Sequence, residues 1–169
     1  RMETPLCSVC LDNDDILCNG CRSKLDDGEL TQVDVDLSRL LYDLSDRIGT
    51  LEDVEVRETI QTANAIVILT ATGDGPKVVG RNGRVVKKIA DLFDKSIRVV
   101  EDTGEVEEVV DKLLSPVEYE GIRTVYKPDG EERKVTVDED YKPRVPFTQE
   151  EFRDLVEELT GEKIVLSYE

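Results

Sequence analysis

The chain has 169 residues, with 39 acids against 22 lysines and arginines, a formal charge of -17 and a pI near 4.4. No apolar run approaches the roughly 20 residues that a membrane-crossing helix needs. Histidine is absent, which removes the commonest general base and any Cys-His nucleophile pair.

The length suits one or two compact units plus a small module. The carboxylates are spread over almost every segment rather than gathered in a tail. Dispersed Asp and Glu, few Lys and a small apolar core are the pattern of proteins from salt-rich cytoplasms. The global charge therefore reads as adaptation to an environment, the alternative being an ordinary acidic protein. No signal peptide is evident, and the expected location is cytoplasmic.

The N-terminal stretch holds every cysteine of the chain: Cys7, Cys10, Cys18 and Cys21, as two CxxC pairs. Four thiolates at paired spacing suit a closed tetrahedral shell, and structural zinc is the expected occupant. Two disulfides or an iron–sulfur cluster are the alternatives at this point. A closed shell leaves no open position for catalysis, so the metal is expected to replace an apolar core that a segment this short cannot build. The expectation is a zinc knuckle or ribbon over residues 1–28, with Asn19 and Gly20 as a tight turn inside the second pair. Arg22 and Lys24 follow the last ligand and would touch a polyanion or balance the zinc–thiolate charge.

Next, Val33, Leu37, Leu40, Leu41, Leu44 and Ile48 recur at helical spacing, with Gly49 as the stop. Val54, Val56 and Thr59 fit a strand, Thr62 to Asn64 a turn, and the apolar run Ala65 to Thr70 a buried strand. Residues 75–90 then break with the rest of the chain. They carry five cations (Lys77, Arg81, Arg84, Lys87, Lys88) and no acid. These surround Gly80-Arg81-Asn82-Gly83, a GxxG turn between two valine pairs. Glycines allow close backbone approach. Val85, Val86, Ile89, Leu92 and Phe93 share one helical face, so the turn sits at a helix N-terminus, where free N–H groups favour phosphate. A local excess of positive charge in so acidic a chain calls for a polyanion. Ser96 to Val100 is a strand.

This order of helix, two strands, short helix, GxxG, helix and strand over residues 33–101 resembles a type II KH domain, with Val78-Val79-Gly80-Arg81-Asn82-Gly83 in the place of that family's signature. It is most similar to archaeal NusA-like KH proteins. The resemblance implies single-stranded RNA held by the GxxG loop, with Lys77, Gly80, Arg81, Asn82, Gly83, Arg84, Lys87 and Lys88 as the binding set. It offers Ile66, Ile68 and Val79 as lining of an adjoining groove, against their use in the core. It also implies a factor of transcription elongation or termination that touches RNA polymerase. The alternatives are a ribosome-associated or ribosome-assembly factor on ribosomal RNA and, more remotely, an adaptor without RNA contact. No enzyme activity and no small-molecule substrate are expected.

Beyond residue 102, Val106, Val109, Val110, Leu113 and Leu114 predict a helix stopped at Ser115-Pro116. Tyr119 to Tyr126 and Arg133 to Val137 predict a hairpin around Lys127-Pro128-Asp129-Gly130. A polar linker follows. Thr148 opens a helix with Glu151 completing a capping box, Gly161 ends it, and Lys163 to Tyr168 is a last strand. Overall the expectation is an α+β chain: zinc module 1–28, type II KH domain 29–102, and a C-terminal α+β unit 103–169, open to a reading as a degenerate KH-like repeat without a GxxG. Its cations Arg123, Lys127, Arg133, Lys134, Lys142 and Arg144 read as ordinary surface charges.

Overall fold

The computed structural model describes residues 1–169 as a mixed α+β protein of seven helices and six strands. Two short helices, α1 (Ser8–Asp12) and α2 (Asn19–Asp27), open the chain and carry the cysteines. The segment expected as a knuckle or ribbon is thus helical. Asn19 and Gly20 form the first turn of α2 instead of a tight loop.

The helix α3 (Gln32–Ser45) starts at a Thr31/Asp34 capping box. It ends at Ser45, short of Gly49, which instead begins a 3-10 turn over Gly49–Leu51. Two hydrophobic clusters explain how α3 is held. Leu37, Leu41 and Leu44 pack on the first sheet, while Val35 and Tyr42 meet the N-terminal helices.

The first sheet has the order β1 (Val56–Gln61), β2 (Ala65–Thr70), β3 (Ser96–Glu101), with β1/β2 antiparallel and β2/β3 parallel. Between β2 and β3 run α4 (Gly75–Val79), the glycine turn and α5 (Arg84–Phe93). Every residue of β2 is buried, as its unbroken apolar run requires of a strand covered on both faces. Ile66 and Ile68 face α3 and α5; Ala65, Val67 and Leu69 face the opposite layer.

That opposite layer is the C-terminal third: α6 (Val106–Leu114), β4 (Glu120–Lys127), β5 (Gly130–Val137), a 3-10 turn over Glu139–Arg144, α7 (Gln149–Thr160) and β6 (Ile164–Tyr168). The second sheet is ordered β4-β5-β6, antiparallel then parallel. The stretch expected as a linker contains the 3-10 turn; β4 is shifted by one residue from the expected span, and β5 starts three residues before Arg133, because backbone pairing continues through Lys127, Gly130, Glu131 and Glu132. One cluster of 19 buried residues joins the inner face of β2 to α6, β5, α7 and β6. No helix is long and apolar enough to cross a membrane.

A buried carboxylate ties α3 to the sheet. Asp34 is only 4% exposed. Its Oδ2 accepts the Thr31 N–H at 2.9 Å, and its Oδ1 accepts the Thr59 N–H at 3.1 Å and the Thr59 hydroxyl. Removing it orphans the buried N–H and hydroxyl of Thr59 and the part-buried N–H of Thr31. Each orphan costs about 1–3 kcal/mol, so Asp34→Ala is expected to lose about 3 kcal/mol in urea unfolding. A loss under about 1 kcal/mol would mean that water replaces the carboxylate.

The surface charge gives a second expectation. Self-repulsion at -17 favours expansion at low salt. Raising KCl from about 0.1 M to 2 M shortens the Debye length from about 10 Å to under 3 Å. Relief on the order of 1–2 kcal/mol would raise Tm by roughly 3–8 °C. A flat or falling Tm over that range would assign the acids another purpose.

Candidate functional site

The four cysteines converge although their spacing in sequence is uneven. Cys7 is the N-cap of α1 and Cys18 the N-cap of α2, which puts Cys10 and Cys21 at the third position of each helix. A residue at the cap and one three positions on both point at the free N–H groups of the first turn. Two CxxC helix starts facing one another therefore bring four sulfurs together. All four lie within 4.8 Å of one another. Sulfurs around a tetrahedral ion at about 2.3 Å stand about 3.8 Å apart, and the Cys7–Cys18 separation is 3.8 Å. A disulfide needs about 2.05 Å, and all four cysteines are free, so the disulfide alternative falls.

The sulfurs are also supplied with donors. The Cys18 sulfur accepts the Cys21 N–H at 3.3 Å, and the Cys10 sulfur accepts the Cys18 N–H at 3.2 Å. That backbone bond from Cys21 holds the Cys18 thiol down at about 7. Burial pushes Cys10 up to about 12 and moves Cys21 in the same direction. The cluster is fit to hold a metal ion, which would offset the cost of charging the two buried sulfurs.

The module is fastened to α3 by a side chain that carries no motif. Arg39 donates to the carbonyls of Cys10 at 3.4 Å, Asn13 at 3.0 Å and Ile16 at 2.5 Å. It thereby shapes the loop between the two pairs. Nothing in the local sequence distinguishes Arg39 from any other helical arginine. Arg22 and Lys24 are exposed on α2.

The second candidate site is the glycine turn. Gly80 has φ 80° and ψ 168°, and a Cβ placed there would lie 2.5 Å from Val85 Cγ2 and 3.0 Å from the Val85 nitrogen. Only glycine fits, because the backbone crosses directly over the start of α5. Asn82 (φ 55°) and Gly83 (φ 73°) are left-handed. The turn closes on itself through Gly80 N–H to Pro76 O and Gly83 N–H to Gly80 O, both 3.0 Å. Gly83 caps α5 without a side chain, and no acid stands in the first turn.

Lys77, Arg81, Asn82, Arg84, Lys87 and Lys88 are all exposed. Lys77 pairs with Asp74 at 3.2 Å; the other four cations make no ion pair. The structure thus gathers the cations on the surface of α4, the turn and α5. Two expectations for this region fail. Ile66 and Ile68 are fully buried beneath α3 and α5, so they cannot line a groove, while Val79 is only partly covered. Leu92, expected on the buried face of α5, is 63% exposed.

One residue that positions the turn carries no sequence motif. Glu101, at the end of β3, accepts the N–H of Gly73 at 3.1 Å and of Gly75 at 3.2 Å. Its carboxylate occupies the space that a Cβ on Gly75 would need. It fixes the start of α4, the helix that delivers Lys77 and Gly80. Strand ends rich in acid are common here, and no local signal marks this one.

No family model matches the chain, and no curated protein matches it. Among solved structures, one described as "Crystal structure of APE1850" is similar at 24% identity and a TM-score of 0.47, over 76% of this chain and 95% of that chain.

Proposed function

We propose that residues 29–102 form a type II KH domain that clamps single-stranded RNA at Gly80–Gly83. The chain would then serve as a non-catalytic accessory factor of transcription. The observation that carries this reading is the state of the α5 start: a left-handed glycine turn, a helix N-terminus with no side-chain cap, and four exposed cations without carboxylate partners. The helix dipole and the cations favour a phosphate there, while the N–H groups of Gly83 and Arg84 are already bonded to Gly80 O and Arg81 O. The element order and the antiparallel-then-parallel pairing of β1, β2 and β3 support the KH assignment.

Backbone and short-range contacts suit a protein built for high salt. Affinity from counterion release falls steeply with ionic strength. Hydrogen bonds from the turn, Arg81 and Asn82 are screened least. In this reading zinc occupies the four cysteines and serves as a cross-link that holds α1 to α2. The module it stabilises would offer a surface for RNA polymerase. Titration of labelled single-stranded oligonucleotides, with duplex RNA as control, tests the RNA half. Co-purification from the native cytoplasm tests the rest: polymerase in the eluate supports the transcription role, and ribosomal subunits in its place would move the protein to ribosome assembly. Metal analysis giving one zinc per chain is the expected result for the cluster.

A further inference from the structure

The C-terminal third repeats the middle third. Helix α6 leads into the antiparallel pair β4/β5, and α7 leads back to β6, which lies parallel to β5 on its free side. The middle third has the same order of main elements, α3, β1/β2, α5 and β3, with α4 and the glycine turn where the C-terminal third has the 3-10 turn over Glu139–Arg144. In both, the central strand is the second one, and the helix start that follows it stands at the same place in the topology: Gly83 before α5, Thr148 before α7.

The two helix starts are built in opposite ways. Gly83 offers no side chain and α5 has no acid in its first turn. At α7, Thr148 Oγ1 accepts the Glu151 N–H at 3.0 Å, and Glu151 Oε1 accepts the Thr148 N–H at 2.8 Å. The other oxygen of that carboxylate reaches out of the unit: Glu151 Oε2 accepts the N–H of Ala63, in the β1–β2 turn, at 3.2 Å. Lys95 holds the same turn as well, its Nζ donating to Thr62 O at 2.9 Å. The Thr148 N–H, and then that of Ala63, hold Glu151 below the usual carboxylate range despite its partial burial.

Six of the nine cations of the repeat have a partner, against one of the five around the glycine turn. Arg123, Lys127 and Arg133 pair with Glu120, Glu132 and Glu162. Lys142 and Arg144, in the segment that replaces the glycine turn, lie over the rings of Tyr168 and Tyr141 at 5.2 and 5.5 Å. Arg153 pairs with Asp154, and Lys112, Lys134 and Lys163 are left without such a partner.

We propose that the C-terminal third is a closed copy of the middle third: its own carboxylate fills the helix start that would meet a polyanion, and Glu151 serves as a clamp on the β1–β2 turn, so that the chain has one polyanion site and not two. The count of sites rests on the RNA-binding reading above; the clamp does not. The shared core supports the clamp, since α6, α7 and the inner face of β2 belong to one apolar cluster. The copy thereby becomes the rigid backing of the sheet that carries the glycine turn.

Two measurements on the full chain test this. In the first, a six-nucleotide single-stranded oligouridine is titrated to saturation and its stoichiometry read by sedimentation. One oligonucleotide per chain is expected, with none bound to the Arg81→Asp, Asn82→Asp double variant. Two per chain, or one persisting in that variant, would overturn the single-site count. In the second, amide exchange at Ala63 is compared between variants. Glu151→Ala should speed it by about tenfold or more, since a charge-assisted bond is removed. Glu150→Ala should leave it unchanged, and Glu151→Gln should restore most of the protection. Unchanged exchange in Glu151→Ala would refute the clamp. If the wild type binds no oligonucleotide, the RNA reading fails and takes the site count with it, while the exchange result still decides the clamp.

Discussion

Replacing Arg81 and Asn82 together with aspartate is expected to abolish RNA binding while leaving the fold intact. Both side chains are exposed and make no hydrogen bond or ion pair within the protein. Surface substitutions of this kind stay within about 0.5 kcal/mol. Asn82 is left-handed, a conformation that aspartate tolerates better than most residues. The change takes one cation away and adds two carboxylates at the place proposed for phosphate. Two or three charge-assisted hydrogen bonds to the RNA would no longer form. At about 1.5–3 kcal/mol for each, affinity should fall by at least about a hundredfold. Thermal unfolding in parallel checks that the fold survives. Neutralising Lys87 and Lys88 should weaken binding at low salt and matter much less at high salt, because those side chains act through screened charge. Equal affinities for wild type and the double aspartate would reduce the glycine motif to a turn, and the basic island would then await an acidic protein partner.

Loss of one metal ligand should do comparable damage at the other end. Cys10 is fully buried in a cluster of six residues that includes Leu6, Leu11, Leu30 and Val35. So small a core is not expected to hold α1 and α2 by itself, and a metal bound at the cluster would supply much of the module's folding energy. Cys10→Ser or Cys18→Ser is expected to release the metal and unfold residues 1–28, with loss of amide protection in α1 and α2. The sheet β1-β2-β3 should persist, since its core draws on α3, α4 and α5 and takes only Met2 from the N-terminal segment. Excess chelator on the wild type should reproduce the pattern. Unchanged protection in α1 and α2 after metal removal would show that Arg39 and the six-residue core suffice.

The parts of this protein that the sequence determined are those written in local spacing. Two CxxC pairs gave the four-cysteine cluster, because a CxxC spacing at a helix start sets both sulfurs on one end of the helix. The unbroken run from Ala65 to Thr70 gave a doubly covered strand, and Thr148 with Glu151 gave a capping box, since each depends on neighbours a few residues apart. The island around Gly80 stood out against an acidic background for the same reason.

What the tertiary structure alone decided are contacts between distant segments. Asp34 reads locally as a capping residue, yet its second oxygen grips Thr59 across the layer. Glu151 likewise spends one oxygen on its own helix and one on Ala63. Arg39 and Glu101 order the two candidate sites through carbonyls and amides far away in sequence. Leu92 follows the apolar period of α5 but lies exposed. Phe93, one residue further on, still packs on the core; periodicity states which face of a helix is apolar, and how wide a part of that face finds a partner is set by packing.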